Sequence, residues 1–279
     1  MPRKMVSSEV PEDSTGVQYH ISCKKGDVAR YVLLPGDPGR VKRIAAEWDD
    51  SRKVAEHREY ITYTGRYHGA AISCTSTGIG GPAAAIAIEE LLRVGADTLL
   101  RVGTTGGLSK RIGIGDLIIT TGAVRLDGTS GQYVMPGYPA VASYEVVTAL
   151  VEAAERSGAR YHVGITASSD SFYTGQGRPG FRGYRSHASE VLLEDVRRAN
   201  VLNFEMETST LFTLSGIYGS RAGSVCAVVA NRETGEFVQD AGVDGAIRVA
   251  NEAVKTLSQW DSLKSGKGKK NFFPSLLER

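Results

Sequence analysis

Four short runs scattered along the chain carry side chains suited to a single chemical site. Gly36-Asp37-Pro38-Gly39-Arg40 and Arg101-Val102-Gly103-Thr104-Thr105-Gly106 each join a guanidinium to glycine-rich backbone, a pairing that suits an oxyanion. Phe172-Tyr173-Thr174-Gly175-Gln176-Gly177-Arg178 offers an aromatic face, an amide and a second guanidinium, which suits a flat heterocycle. Glu205-Met206-Glu207 sets two carboxylates beside a thioether, which suits sugar hydroxyls next to an apolar edge. Anion, base and sugar held together are the reactants of a nucleoside cleaved by phosphate.

Taken singly, each run has a plainer reading. Arg101 ends an apolar strand and needs an anionic partner to offset its lost hydration, yet an internal carboxylate would serve as well as a bound anion. Arg40 and Arg58 alone read as surface residues; with Arg101 and Thr104 they make a site whose forked donors match phosphate oxygens. Phe172 alone reads as core, and Gln176 and Arg178 as a polar loop. Glu205 and Glu207 cannot face the same way on one helix turn, so one of them is free to cap the helix that follows. Paired carboxylates also suit a glycosidase, but that leaves the arginines and Gln176 without a purpose.

Several other chemistries fit poorly. In Thr77-Gly78-Ile79-Gly80-Gly81-Pro82 the third position of a dinucleotide loop is Ala83, and no ribose-binding acid follows the next strand. No phosphate-binding G-x-x-x-x-G-K-[ST] run occurs. Cys23, Cys74 and Cys226 are far apart and match no zinc spacing. A net charge of +2 gives no electrostatic case for nucleic acid or an anionic membrane, and no apolar stretch approaches the ~20 residues of a membrane span. Without an apolar signal core near the amino terminus, a cytoplasmic enzyme is the expectation.

The elements that must position these residues alternate between strands and helices. Glycine is over-used, 33 residues in 279, and the glycines fall at strand ends where loops meet ligands. Strands are predicted over 31–34, 70–76, 98–102, 117–124, 162–168 and 225–230. Helices are predicted over 83–94, 144–157 with Gly158 as its left-handed cap, 190–199 and 244–260. This is an α/β chain with a parallel or mixed central sheet, whose function belongs at the carboxyl ends of its strands. Residues 1–19 read as a mobile leader, 20–261 as the folded domain and 262–279 as a basic flexible tail.

Read together with other segments, the four runs resemble those of the nucleoside phosphorylase family. The likeness also takes in Leu33-Leu34-Pro35, His57-Arg58-Glu59, Val124-Arg125-Leu126-Asp127-Gly128, Ala167-Ser168-Ser169-Asp170, Asn203-Phe204 and Ala230-Asn231-Arg232. It runs in family order from about Tyr19 to about Trp260. The resemblance implies a single α/β domain whose mixed sheet is partly closed into a distorted barrel flanked by helices. It also implies reversible phosphorolysis of uridine to uracil and ribose 1-phosphate.

Carried over residue by residue, the resemblance gives phosphate to Gly36, Arg40, Arg101 and Thr104, with Arg58 arriving from a neighbouring subunit. The base falls to Phe172, Gln176 and Arg178, and Arg232 orders the loop around it. The ribose falls to Glu205, Met206 and Glu207, with His20 of the neighbour at its 5′-hydroxyl. Arg101, Arg178 and Glu207 would carry the catalysis. Homo-oligomers, most often hexamers built from dimers, are implied, with uridine and phosphate as the small-molecule partners and no required cofactor. Glu59 and the Ile79 carbonyl match a potassium site of some relatives, but Ala83 replaces its serine, which leaves the cation open. Thr174 stands where the base loop often has proline. Ala230-Asn231-Arg232 replaces the Ser-Asp pair of purine enzymes, and Gln176-x-Arg178 suits a pyrimidine.

Overall fold

The computed structural model describes residues 4–278. Strand β1, Tyr31–Leu34, is buried along its whole length and hands the chain to helix α1, Pro38–Ala45. The side chain of Asp37 caps that helix by accepting from the Gly39 amide at 2.8 Å, and Pro38 fits a first turn that has no use for its missing N–H. The antiparallel strands β2 (Asp50–His57), β3 (Tyr60–Tyr67) and β4 (Ala70–Thr75) follow, then helix α2, Gly81–Arg93. Next come β5 (Thr98–Gly107), β6 (Leu117–Leu126), the short β7 (Ala140–Val141), helix α3 (Tyr144–Ser157) and β8 (Tyr161–Ser169). Helix α4 (His187–Arg198), β9 (Asn203–Glu205), helix α5 (Thr208–Tyr218), β10 (Arg221–Asn231) and helix α6 (Val243–Gly266) complete the fold.

The sheet has a closed part and an open part. β5 pairs with β10, β10 with β6, β6 with β8, β8 with β9, and β9 returns to β5, so five strands form a ring. The open part, in the order β1, β4, β3, β2, grows from β5. β5 serves both parts with one edge: Thr98–Arg101 pair with β1, and Gly106 and Gly107 pair with β9. Between these pairings that edge is split, and Arg101 stands at the brink. A split between diverging neighbours is where open α/β sheets bind ligands.

Helices cover the sheet through apolar clusters on its two sides. One cluster gathers α1, α3 and α6 through residues such as Val41, Ile44, Leu150, Ile247 and Val254; the other gathers α2 and α5 through Ile88, Leu91, Leu211 and Phe212. Helix α3 has the predicted bounds, and Gly158 adopts φ 65°, ψ 21°, the left-handed cap.

Three expectations are corrected. The run after Val102 was expected as a glycine-rich loop, yet β5 continues through it to Gly107, paired to β10 along its length. The 262–279 segment was expected as a flexible basic tail, yet α6 runs on to Gly266 and the chain folds back. Phe272 then stacks on Trp260 with ring centroids 3.8 Å apart, and the buried Lys264 bonds Glu145 at 2.7 Å. Apolar Phe272 and Leu276 supply the burial that the lysine count conceals. Within the 1–19 leader, residues 4–19 form short bridges, Met5 with Asp13 and Glu12 with Gln18, and Gln18 is buried. Residues 1–3 and 279 lie outside the described part. Among the described residues no helix is long and apolar enough to cross a membrane.

Candidate functional site

The split in the sheet opens into a cavity of about 600 Å³. Gly36, Arg40, Arg101, Thr104, Phe172, Gln176, Arg178, Glu205, Met206 and Glu207 all line it, and so does Ile79. Residues spread over more than 170 positions of sequence therefore converge, because the ends of β1, β5 and β9 meet where the ring joins the open sheet.

The anion end is built from β1, α1 and β5. Gly36 lies where a Cβ would come within 3.1 Å of the Gly78 carbonyl, so the turn after β1 packs directly on backbone. Arg40 is buried in the first turns of α1, and its Nη1 donates to the Val102 carbonyl at 3.0 Å. Its Nε is buried and, among the described residues, has no acceptor. Burial, and then the neighbouring charge of Arg101, push the Arg40 pKa below its ordinary value. A buried donor beside a second cation favours an anion between them.

Arg101 has the internal carboxylates that its plainer reading required. Its Nε lies 2.8 Å from Glu205 and its Nη2 lies 2.5 Å from Glu207. Burial would lower its pKa, but Glu207 and Glu205 outweigh that and raise it, so the guanidinium remains cationic. The arginine therefore stands between the anion end and the sugar end, held by both carboxylates.

The two glutamates have different jobs. Glu205 accepts from the Ser168 hydroxyl and from the backbone amides of Glu207 and Thr208, each 2.9 Å from Oε2. It caps α5 and anchors Arg101, with its oxygens spent on the protein. Glu207 lies at the start of α5 and reaches back to accept from the Gly80 amide at 2.5 Å. Burial raises its pKa, with Arg101 opposing and Glu205 reinforcing. Met206, between them, faces the cavity.

The base end rests on the segment after β8. Arg178 lies 3.9 Å over the Phe172 ring and donates to the Phe172 carbonyl at 2.7 Å and to Gln176 Oε1 at 2.5 Å. The aromatic ring, amide and guanidinium thus form one preassembled plate. Burial, with the Arg232 charge, lowers the Arg178 pKa to about 10. Arg232 donates to the Gln176 carbonyl at 2.8 Å, so it fixes the segment's backbone from behind. Asn231 turns away from the cavity: its amide donates to the carbonyls of Ser109 and Ile112 and accepts from the amides of Glu233 and Thr234.

Three expected residues do not line the cavity. His20 and Arg58 lie together elsewhere: His20 Nδ1 is 2.7 Å from Glu90, the His57 ring contacts the His20 carbonyl at 2.9 Å, and Arg58 lies over the neighbouring Tyr19 ring. Arg58 is exposed and adopts φ 55° in the tight turn between β2 and β3. Glu59 packs against the Gly78 turn, and Ala83 faces the same turn with a methyl rather than a hydroxyl. Ile79 lies at the same turn, and among the described residues no group of three or more His, Cys, Asp or Glu side chains gathers there.

Lining residues that the sequence reading missed include Asp37, Thr105, Phe204 and Phe237. Phe237 carries no periodic signal and reaches the cavity through an isolated bridge to Ala230. Thr105 and Phe204 flank noticed residues, and the Thr105 hydroxyl donates to the Phe204 carbonyl at 2.6 Å, fastening β9 to β5.

Residues 30–259 match the phosphorylase superfamily. The chain is 60% identical over 276 residues to a uridine phosphorylase of Thermococcus kodakarensis, with 99% of each chain covered. It is 44% identical over 227 residues to a uridine phosphorylase of Escherichia coli, covering 78% of this chain and 88% of that one. A guanosine phosphorylase of Halorubrum lacusprofundi is 41% identical over 251 residues, 86% of this chain and 99% of that one. The superfamily match takes in both diverging strand ends, the split between them and every residue that lines the cavity, so the chain belongs to the phosphorylase superfamily.

Proposed function

We propose that this chain cleaves uridine with phosphate, giving uracil and ribose 1-phosphate in a reversible reaction. The observation that carries the reading is the joining of Arg40, Arg101 and Thr104 to the Phe172–Gln176–Arg178 plate in one cavity. The 60% identity to a uridine phosphorylase over nearly the whole chain supports it.

Phosphate binds between Gly36, Arg40, Arg101 and Thr104. Uracil lies against the plate, with Gln176 and Arg178 reading its polar edge, and Glu207 accepts from the ribose hydroxyls beside Met206. Glu205 holds Arg101 and the start of α5 in place. The bond from C1′ to N1 lengthens first, and its electron pair moves onto the uracil, whose growing negative charge Arg178 offsets. Phosphate stabilises the positive sugar, and one of its oxygens then forms the new bond to C1′ from the opposite face. This is positioning and electrostatics, with phosphate as co-substrate and no resident cofactor or protein nucleophile in any step.

Arg58 and His20 complete the site from a second copy, within a homo-oligomer that the reading takes to be a hexamer of dimers. Their shared surface, away from their own chain's cavity, supports that arrangement. Cytoplasmic pyrimidine salvage is the role that fits this chemistry. Asn231 weighs against a purine substrate, because both ends of its amide are bonded to backbone and none remains for a base. Ultraviolet absorbance of uridine, inosine and guanosine, with and without phosphate, tests the reading. Phosphate-dependent loss of uridine is expected; loss at an equal rate without phosphate, or preference for a purine, would overturn it.

A further inference from the structure

Arg101 and Gly103 lie two residues apart on β5, so they point to the same face, and Cys226 of β10 lies directly across from Gly103 in the parallel register. A Cβ at position 103 would come within 2.6 Å of Cys226 Sγ, 2.8 Å of Arg101 Nη2 and 2.9 Å of Arg101 Cζ. The guanidinium therefore lies close over the bare backbone of Gly103, with the sulfur beside it. Backbone freedom is not the reason for this glycine, since it sits within a regular strand and is not among the residues with positive φ.

A flexible arginine would ordinarily swing clear of such a methyl at little cost. Arg101 cannot, because Glu205 and Glu207 hold its far end at 2.8 and 2.5 Å and the side chain is almost wholly buried. Cys226 cannot yield easily either, being fully buried beneath the strand pair. We infer that Gly103 is a positioning residue for phosphate: its missing side chain is the seat that sets the height of the Arg101 guanidinium in the cavity. The Cys226 thiol forms the wall of that seat. Any side chain at 103 lifts the guanidinium off the seat and misaligns it with the oxyanion.

The inference rests on the reading of Arg101 as a phosphate ligand, and the experiment separates the two. The wild type is first assayed with and without phosphate; if phosphate is dispensable, it is the function that fails. If phosphate is required, Gly103→Ala is expected to lower kcat/KM for phosphate by ~10²-fold, the scale of a misplacement of about an ångström. KM for uridine should change far less, a split that general loosening of the strand would not produce. In an Arg101→Ala background the added methyl should have little further effect on phosphate kinetics, because its target is gone.

Cys226→Ala should not restore phosphate kinetics to Gly103→Ala; full restoration would mean that the methyl acts on the sulfur alone, and would overturn the inference. So would unchanged phosphate kinetics in folded Gly103→Ala. If Gly103→Ala does not fold, it is introduced into Arg101→Ala/Cys226→Ala, where both neighbours are trimmed. Its urea stability is compared with that of the Arg101→Ala/Cys226→Ala parent: equal stability supports the seat, and a further loss shows that the strand itself demands glycine and overturns it.

Discussion

Arg101 Nη2 lies 2.5 Å from Glu207 Oε2, and this contact ties the anion end of the cavity to its sugar end. The other Glu207 oxygen takes the Gly80 amide at the start of α2, and Glu205 holds Arg101 from the α5 side. Two helix starts and a strand brink are thereby fixed through one guanidinium. Removing the Arg101 guanidinium consequently reaches both ends of the cavity and the fold.

Arg101→Ala should lower turnover by ~10²–10³-fold, the scale for removing one preorganised charge stabiliser. It should also cost ~3–5 kcal/mol of stability, because it leaves two buried carboxylates without their cation. Phosphate-dependent kinetics and urea unfolding measure the two effects. Near-wild-type stability would show that the carboxylates find other partners.

The pH profile should carry the mark of Glu207. Burial raises its carboxyl pKa, so the ionised form that pairs with Arg101 and accepts from ribose is lost at a higher pH than for an ordinary glutamate. Activity should therefore rise with pH through that raised value, and Glu207→Gln should abolish the acid limb along with most of the rate. On the alkaline side Arg178, lowered to about 10, loses its charge as pH climbs past that point, so the rate should fall there. An acid limb at the ordinary carboxylate value would detach Glu207 from the reaction.

Base choice should follow the plate. In the proposed function Gln176 and Arg178 donate to the oxygens of uracil, and cytidine would present an amino donor where Arg178 also donates. The buried mismatch should set kcat/KM for cytidine ~10⁴-fold below that for uridine. Competition assays with both nucleosides read the ratio directly, and comparable efficiencies would refute this assignment of the edge.

Phe272→Ala should destabilise the protein by ~3–5 kcal/mol, as for truncating other buried aromatics, while sparing turnover below the melting range. The ring stacks on Trp260 and its amide donates to Glu145 at 2.8 Å, in a cluster with Arg221, Asp261 and Lys264 on the helical side of the sheet. A variant with lowered Tm and unchanged kcat is expected; a variant as stable as wild type would return the segment to the status of a loose tail.

Most of the site was legible because its residues sit at strand ends, where glycine, arginine and carboxylate stand out against apolar runs. Arg40, Arg101 and Glu207 needed no structure to attract attention. β2 was not legible, since Asp50-Ser-Arg-Lys-Val-Ala-Glu-His57 is polar and mostly exposed, and its pairing comes from backbone bonds to β3. β9 escaped notice because a three-residue strand has no period to detect, although it closes the ring. The last strand-like glycines of β5 were read as loop because glycine usually marks a turn; at Gly103 it makes room for the arginine beside it. The docked carboxyl-terminal segment was hidden by its lysines, of which Lys264 is buried against carboxylates.

The last prediction concerns the two residues left outside the cavity. Arg58 and His20 share one surface through Tyr19 and His57, and neither lines the cavity of its own chain. In the proposed two-fold pairing each copy lends this surface to the other, so that every site holds Arg101 from one chain and Arg58 from the next. Arg58→Ala and Arg101→Ala should each be nearly inactive alone. Mixed within one dimer, they give one site with both lesions and one site with neither, so activity should partly return. Subunit exchange followed by assay of verified mixed oligomers reads the outcome. Absence of recovery would mean that Arg58 serves its own chain or only the packing of its turn against Tyr19.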